Sequence, residues 1–386
     1  MNRTTRILGK SWPERETTPA HTVNPPLYKG STVLFKSYAD MLKAARHEYE
    51  GISYGTDRLP TQRQFEEAMR ELEGGAVCRV FPSGIAAIQT ALMAFTGSGD
   101  HTLVCDNAYG PGQRFCRKVL QKYGVECTPV PPDVGADIEE YLRPNTRLIL
   151  LESPGSLTFE LQDIPAVTAA ARARGIVTVL DATWATPLYL SPFDMGVDAT
   201  IHSVTKYISG YSDILAGTVT VSEQHARTFE SFYKMMEIYT PAEECSLALR
   251  GLHSLAVRLR RHELSALAVA GWLESQPLVD QVLHPALPSH PEHHIWQRDF
   301  RGSSGLFAFT LQKEYTEGEL AAFIDSLALF RLGYSWGGFQ SLITAAKVRR
   351  TMPSRYDGKT VIRLHIGLED CADLIADLEK GLSMLT

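Results

Sequence analysis

Lys206 stands in Ser203-Val204-Thr205-Lys206, directly after a strand-like Ala199-Thr200-Ile201-His202. Twenty-five residues upstream, the apolar run Ile176-Val177-Thr178-Val179-Leu180 ends on Asp181. A carboxylate closing one strand and an amine following another suit one chemistry well. The carboxylate keeps a pyridine nitrogen protonated, so that the ring accepts electrons. The amine bonds an aldehyde carbon and later carries protons. Those are the needs of a pyridoxal phosphate site. Neither residue says this alone: a strand-end Asp is often a helix cap, and a single Lys is often a solvated surface group.

Further residues fit the same chemistry. Ser83-Gly84-Ile85 falls at a strand-to-helix turn, where the amides of Gly84 and Ile85 can cradle a phosphate; an ordinary tight turn explains it equally well. Ser203 and Thr205 bracket the lysine and can donate hydroxyls to the same phosphate. Tyr109, in Asn107-Ala108-Tyr109-Gly110-Pro111-Gly112, lies on a loop after a strand. It can stack on a flat ring and move protons, or it is a packing tyrosine. Arg363 begins Arg363-Leu364-His365-Ile366-Gly367-Leu368-Glu369-Asp370. It can clamp a carboxylate through two parallel hydrogen bonds, or it forms a surface ion pair with Glu369 or Asp370.

These residues need elements to hold them. Residues 1–55 lack sustained periodicity and read as an extended arm that must pack on another surface. Thr61 caps a helix that Gly74-Gly75 stops. From about 76 to 222, strands and helices alternate: Val77–Phe81, helix to Phe95, Leu103–Cys105, helix to about Tyr123, Leu148–Leu151, a helix opened by Asp163, then the Asp181 strand. This rhythm predicts an α/β fold with a mostly parallel central sheet covered by helices on both faces. Ser83, Tyr109, Asp181 and Lys206 then share the carboxyl ends of its strands, where such sheets bind ligands. A long helix from Pro241 through Leu264 and a smaller C-terminal α+β unit follow. The expected division is an arm (1–55), a large cofactor-binding domain (56–240), and a helical connector with the small domain (241–386).

Composition excludes several classes. The chain has 386 residues, 44% of them hydrophobic and 21% charged, with a formal charge of -6; this is an ordinary globular composition with room for more than one unit. No basic stripe points to nucleic acid. The run Arg258-Leu259-Arg260-Arg261-His262 reads as a solvated helix face, and His284, His290, His293 and His294 as a surface loop without metal. The six cysteines show no metal-like spacing and favour a reducing compartment. Met1–Thr18 has no signal-peptide core, and no stretch reaches membrane-span length. A cytoplasmic protein with no membrane partner is expected.

With these motifs in place, the chain resembles the cysteine/methionine-metabolism family of fold-type I pyridoxal phosphate enzymes, from Asn24-Pro25-Pro26 to the C-terminus. Tyr334-Ser335-Trp336-Gly337-Gly338 and Glu152-Ser153-Pro154-Gly155-Ser156 are most similar to the bacterial cystathionine β-lyases. The resemblance implies that Lys206 bonds the cofactor, Asp181 partners its pyridine nitrogen, and Tyr109 stacks on its ring. Gly84, Ile85, Ser203 and Thr205 would hold the phosphate, and Arg363 the substrate carboxylate, with Ser335 and Trp336 beside it. It further implies that Tyr54 enters the neighbouring subunit's site, in a homotetramer built from dimers acting on a small amino-acid substrate. The expected reaction is α,β-elimination of L-cystathionine. A γ-lyase, γ-synthase or broad cysteine desulfhydrase of the same family is the alternative, and a nucleotide-binding α/β module the remote one. Two departures stand out: Thr56 replaces a usual arginine, so that either the nearby Arg58 reaches the phosphate or fewer charges hold it, and Gln340 stands where Glu is common.

Overall fold

The computed structural model describes residues 23–385, with Thr5 alone ahead of them; the signal-peptide reading of Met1–Thr18 falls outside the described residues but for Thr5. Among the described residues, twelve strands form two sheets: β1 Val77–Phe81, β2 His101–Cys105, β3 Glu126–Val130, β4 Thr146–Glu152, β5 Val177–Asp181, β6 Ala199–His202 and β7 Gly217–Val221 in the first. β8 Val279–Leu283, β9 Leu306–Leu311, β10 Arg331–Leu332, β11 Leu342–Lys347 and β12 Thr360–His365 make the second.

The seven-stranded sheet runs β1-β7-β6-β5-β4-β2-β3 and is parallel except for β7, which is antiparallel to both its neighbours. Its strands are apolar on both sides because helices cover both faces. One face packs the helix Gly84–Phe95, through Ala87, Ile88 and Leu92, on Val104, Leu150, Val179, Ile201 and Val219. The other face is covered partly by Ile164–Ala173 and partly by Pro60–Glu73 with the long helix Ala242–Glu274. β3 tolerates Pro129 because it is the edge strand and its partner lies on one side only.

Several local expectations are corrected. The first helix of this region starts at Pro60 with Leu59 as its cap; Thr61 is already in the first turn, where its hydroxyl accepts from the Tyr28 amide at 2.8 Å. The long helix has 33 residues and ends at Glu274, not near Leu264. Arg258 is not solvated: it is buried and donates to the carbonyls of Tyr207, Ile208 and Gly251. His284 and His290 are buried too, so that segment is no surface loop. Among the described residues no helix is long and apolar enough to cross a membrane, and no group of three His, Cys, Asp or Glu could hold a metal.

Candidate active site

A cavity of about 480 Å³ opens at the carboxyl ends of the large sheet, within the range of small-molecule sites. Its lining includes Ser83, Gly84, Ile85, Tyr109, Asp181, Ser203, Thr205, Lys206, Ser335, Trp336 and Arg363, nearly every residue expected to act together. Tyr54 is the exception. It is 51% exposed and borders a separate cavity with Thr56, Arg58 and Arg63.

Lys206 is mostly buried and donates to Ser335 Oγ, with its amine 5.2 Å from the centre of the Trp336 ring. Burial and the Arg363 charge pull its pKa down to about 8, against the opposing pull of Asp181. A lysine in this state reaches its neutral, nucleophilic form close to neutral pH. Arg363 lies in β12 and reaches the cavity floor, where its guanidinium donates to the Ser335 carbonyl at 3.3 Å. The ion pair with Glu369 is not made: Glu369 accepts from the amide and hydroxyl of Ser341 instead. Among the described residues no carboxylate pairs with Arg363 in the cavity, so its charge is available to one that enters.

Asp181 closes β5 in register with Glu152 at the end of β4, which sets two buried carboxyls side by side. Burial raises both, and their neighbours separate them. Asp181 is offset by the hydroxyl and amide of Thr183, by His202 and by Lys206. Glu152 is pushed up to about 8 by burial and by Asp181. At neutral pH, therefore, Glu152 keeps a proton, while the donors around Asp181 favour its ionised form against the effect of burial. Glu152 also positions the loop residue Tyr109: it meets the Tyr109 amide at 2.5 Å and the Ser156 hydroxyl at 2.7 Å. Tyr109 itself is the N-cap of helix Gly110–Lys118, with its ring half-exposed at the cavity mouth.

Ser83 caps helix Gly84–Phe95 by accepting from the Ala86 amide at 3.1 Å. The amides of Gly84 and Ile85, ahead of it, have no intrahelical partner and border the cavity. A Cβ at Gly84 would come within 2.7 Å of Ser203 Oγ, so only glycine lets the turn and Ser203 close together into one cradle.

The sequence matches the family described as Cys/Met metabolism PLP-dependent enzyme over residues 9–383. The chain belongs to that family. It is 42% identical to cystathionine beta-lyase MetC of Escherichia coli over 94% of both chains. It is 40% identical to cystathionine beta-lyase of Salmonella typhimurium, again over 94% of each. Among solved structures, metB from Corynebacterium glutamicum superposes with a TM-score of 0.89 at 28% identity, covering 100% of this chain and 99% of that one. The fold is thus that of the fold-type I pyridoxal phosphate enzymes.

The cavity fits the family's cofactor on its own terms. It holds one lysine with a lowered pKa, a carboxyl at a strand end, a helix N-terminus with two hydroxyls, and an arginine bonded only to a carbonyl among the described residues. Each matches one part of pyridoxal phosphate or its amino-acid substrate. Thr205 is partly committed, since its hydroxyl exchanges bonds with the backbone of Ala216 at 3.2 and 3.1 Å. Arg58 is not poised for a phosphate: its guanidinium pairs with buried Glu66 at 2.8 Å, and its backbone sits at φ +64°. Arg63 braces that turn through the carbonyls of Arg58 and Asp57. Gln340 lies exposed outside the cavity, and nothing in the structure explains it.

Sequence reasoning missed three residues of this site. Glu152 was visible only as part of a motif. Thr183 carried a signal, standing two residues after Asp181 as an Asx-type donor. Trp184 lines the wall and donates to the Leu306 carbonyl at 2.7 Å, a contact across 122 residues that no local pattern reports.

Proposed function

We propose that this chain cleaves L-cystathionine by α,β-elimination, taking up water and yielding homocysteine, pyruvate and ammonia. Bound pyridoxal phosphate supplies the electron sink, linking to the substrate amine and holding the electrons left when the Cα proton departs. The protein residues do the rest. Lys206 would remove the Cα proton and return one to the departing sulfur, with Tyr109 beside it. Asp181 would partner the pyridine nitrogen. Gly84, Ile85, Ser203 and Thr205 hold the phosphate, and Arg363 takes the α-carboxylate that no protein carboxylate pre-empts. Tyr54 acts in a neighbouring copy, and the working form is a cytoplasmic homotetramer.

One observation carries the reading: a lysine pulled down to about 8 lies between Asp181 and Arg363 in one cavity. The family and the two lyases above support the β-specificity. Product analysis tests it. Cystathionine should give homocysteine with pyruvate. Cysteine with 2-oxobutyrate would place the enzyme among the γ-lyases instead.

A further inference from the structure

The connection between β11 and β12 belongs to the small sheet, yet its first residues are fastened to the large one, against the loop that carries Tyr109. Backbone bonds close its base, from the Val348 amide to the Lys359 carbonyl at 2.9 Å and from the Gly358 amide to the Val348 carbonyl at 3.0 Å. Arg350 leaves this base with its amide held by the Asp357 carboxyl at 2.9 Å. Its side chain, 5% exposed, crosses to the large domain and meets three acceptors: the Asp106 carbonyl at 2.5 Å, the Glu160 carboxyl at 2.7 Å and the Thr158 hydroxyl. Asp106 answers with its own carboxyl, which accepts from the amides of Thr351 and Met352 at 2.8 and 2.9 Å. Arg117, in helix Gly110–Lys118, adds a bond to the Thr351 hydroxyl at 3.0 Å.

Each of these contacts leads to Tyr109. Asp106 opens the loop that carries it, and helix Gly110–Lys118 starts from it. Thr158 and Glu160 lie on the far side of the loop that bears Ser156. There the Glu160 carbonyl accepts from the Gly155 amide at 3.0 Å, and the Ser156 amide donates to the Asn107 carbonyl at 2.8 Å. The Ser156 hydroxyl and the Tyr109 amide then meet on Glu152. In the other direction the same connection runs into β12, which carries Arg363. A buried guanidinium is costly to desolvate, and apolar side chains would fasten the two units at lower cost. What the guanidinium adds is direction, because its planar fork fixes several acceptors at once.

We propose that Arg350 is a positioning residue for the reaction: it sets where Tyr109, on the large domain, stands relative to Arg363, on the small sheet, and so how the cofactor ring and the substrate carboxylate are presented to each other. Arg350 does not line the cavity. It acts through the backbone ahead of Tyr109 and through the loop that holds Ser156 and Glu152. This rests on the reading that places Tyr109 on the cofactor ring, so the test includes a variant of Tyr109.

Wild type, Arg350→Met, Tyr109→Ala and the double variant are compared as holoenzymes, by kcat/KM for cystathionine and by the visible circular dichroism of the bound cofactor. An achiral ring shows such a band only through its asymmetric surroundings, so the band reports how the protein stands against it. Arg350→Met should lower kcat/KM about ten- to a hundredfold, the scale of a catalytic group displaced by about 1 Å, and should weaken the band. On the Tyr109→Ala background the same change should cost less than about threefold and leave the band where Tyr109→Ala puts it, because both act through one residue. If Arg350→Met leaves either readout at the wild-type position, or if the two losses simply multiply, Arg350 only fastens the domains and the inference falls alone. If Tyr109→Ala changes neither readout, the Tyr109 reading falls and takes the inference with it. Arg350→Lys keeps a cation without the fork. In the same cycle it should show the same dependence on Tyr109 at smaller size, and it decides the question where Arg350→Met does not fold.

Discussion

On the proposed assignment, Lys206 has to lose a proton before it can bond the cofactor, and its surroundings make that easy. Its pKa lies at about 8, because burial and Arg363 both disfavour the ammonium and Asp181 only partly restores it. Cofactor uptake by the apoenzyme should therefore quicken about tenfold per pH unit below that value and level off above it. Arg363→Met removes a positive neighbour, so the break should move to higher pH. Stopped-flow mixing with pyridoxal phosphate reads both; an unmoved break in the variant would leave burial as the sole cause. The linkage has a definite sign. Between the folded value and the ordinary lysine value of 10.5, the unfolded chain binds more protons than the folded one. The apoenzyme thus carries the full cost of burying this ammonium below about pH 8 and gains stability as pH rises toward 10.5.

At the scale of elements, the segment Tyr334–Gly338 matters because it closes the cavity by backbone shape. Ser335 sits at φ +85° and Gly337 at φ +88°, and a Cβ on Gly337 would come within 2.7 Å of both Lys206 C and Tyr207 N. His365 pins the turn from below, with Nε2 2.9 Å from Gly338 O and 3.2 Å from Gly337 N. Gly337→Ala meets backbone on one side and strain of order 1–3 kcal/mol on the other. It should cost about a hundredfold or more in kcat/KM, the price of a misplaced catalytic group. Far-ultraviolet circular dichroism should stay near the wild type. Activity within about threefold of wild type would show that the segment adjusts freely. Elements of this kind explain what was legible in the sequence. The parallel sheet, the Asp181 and Lys206 strand ends and the Ser83 turn announce themselves through apolar runs and caps. β11 does not, because Leu342-Ile343-Thr344-Ala345-Ala346-Lys347 includes helix-forming residues and becomes a strand by pairing with β12 and β10. Arg258 and His262 read as solvated because the helix period places them beside true surface residues. Their burial comes from carbonyls at Tyr207 and Ile366, far away in the chain. Glu152 was hidden similarly: its role depends on β5 lying next to β4.

For the whole molecule, the arm poses the remaining question. Helix Tyr38–Ala45 buries none of its residues, and Leu34, Tyr38 and Met41 are 89%, 73% and 54% exposed. Apolar side chains in such a row need a surface, and the described residues do not supply one. Tyr54 belongs to the same stretch: it bridges to Thr32, and it stands outside the cavity that holds Lys206 in its own chain. A second copy of the chain would answer both points, with each arm lying on its neighbour and each Tyr54 entering the neighbour's cavity. Subunit mixing separates this from a role within one chain. Lys206→Ala and Tyr54→Phe should each be nearly inactive as homo-oligomers. When the two are unfolded together and refolded, half of the sites in a mixed dimer carry both changes and the other half carry neither. Activity should then return to roughly a quarter of the wild-type level in a statistical mixture, since half the dimers are mixed and each has one intact site. If Tyr54 served its own chain, every site in the mixture would keep one defect, and no activity would return. Sedimentation of the wild type at the same concentration should show no monomer, because a monomer would leave both the arm and the site incomplete.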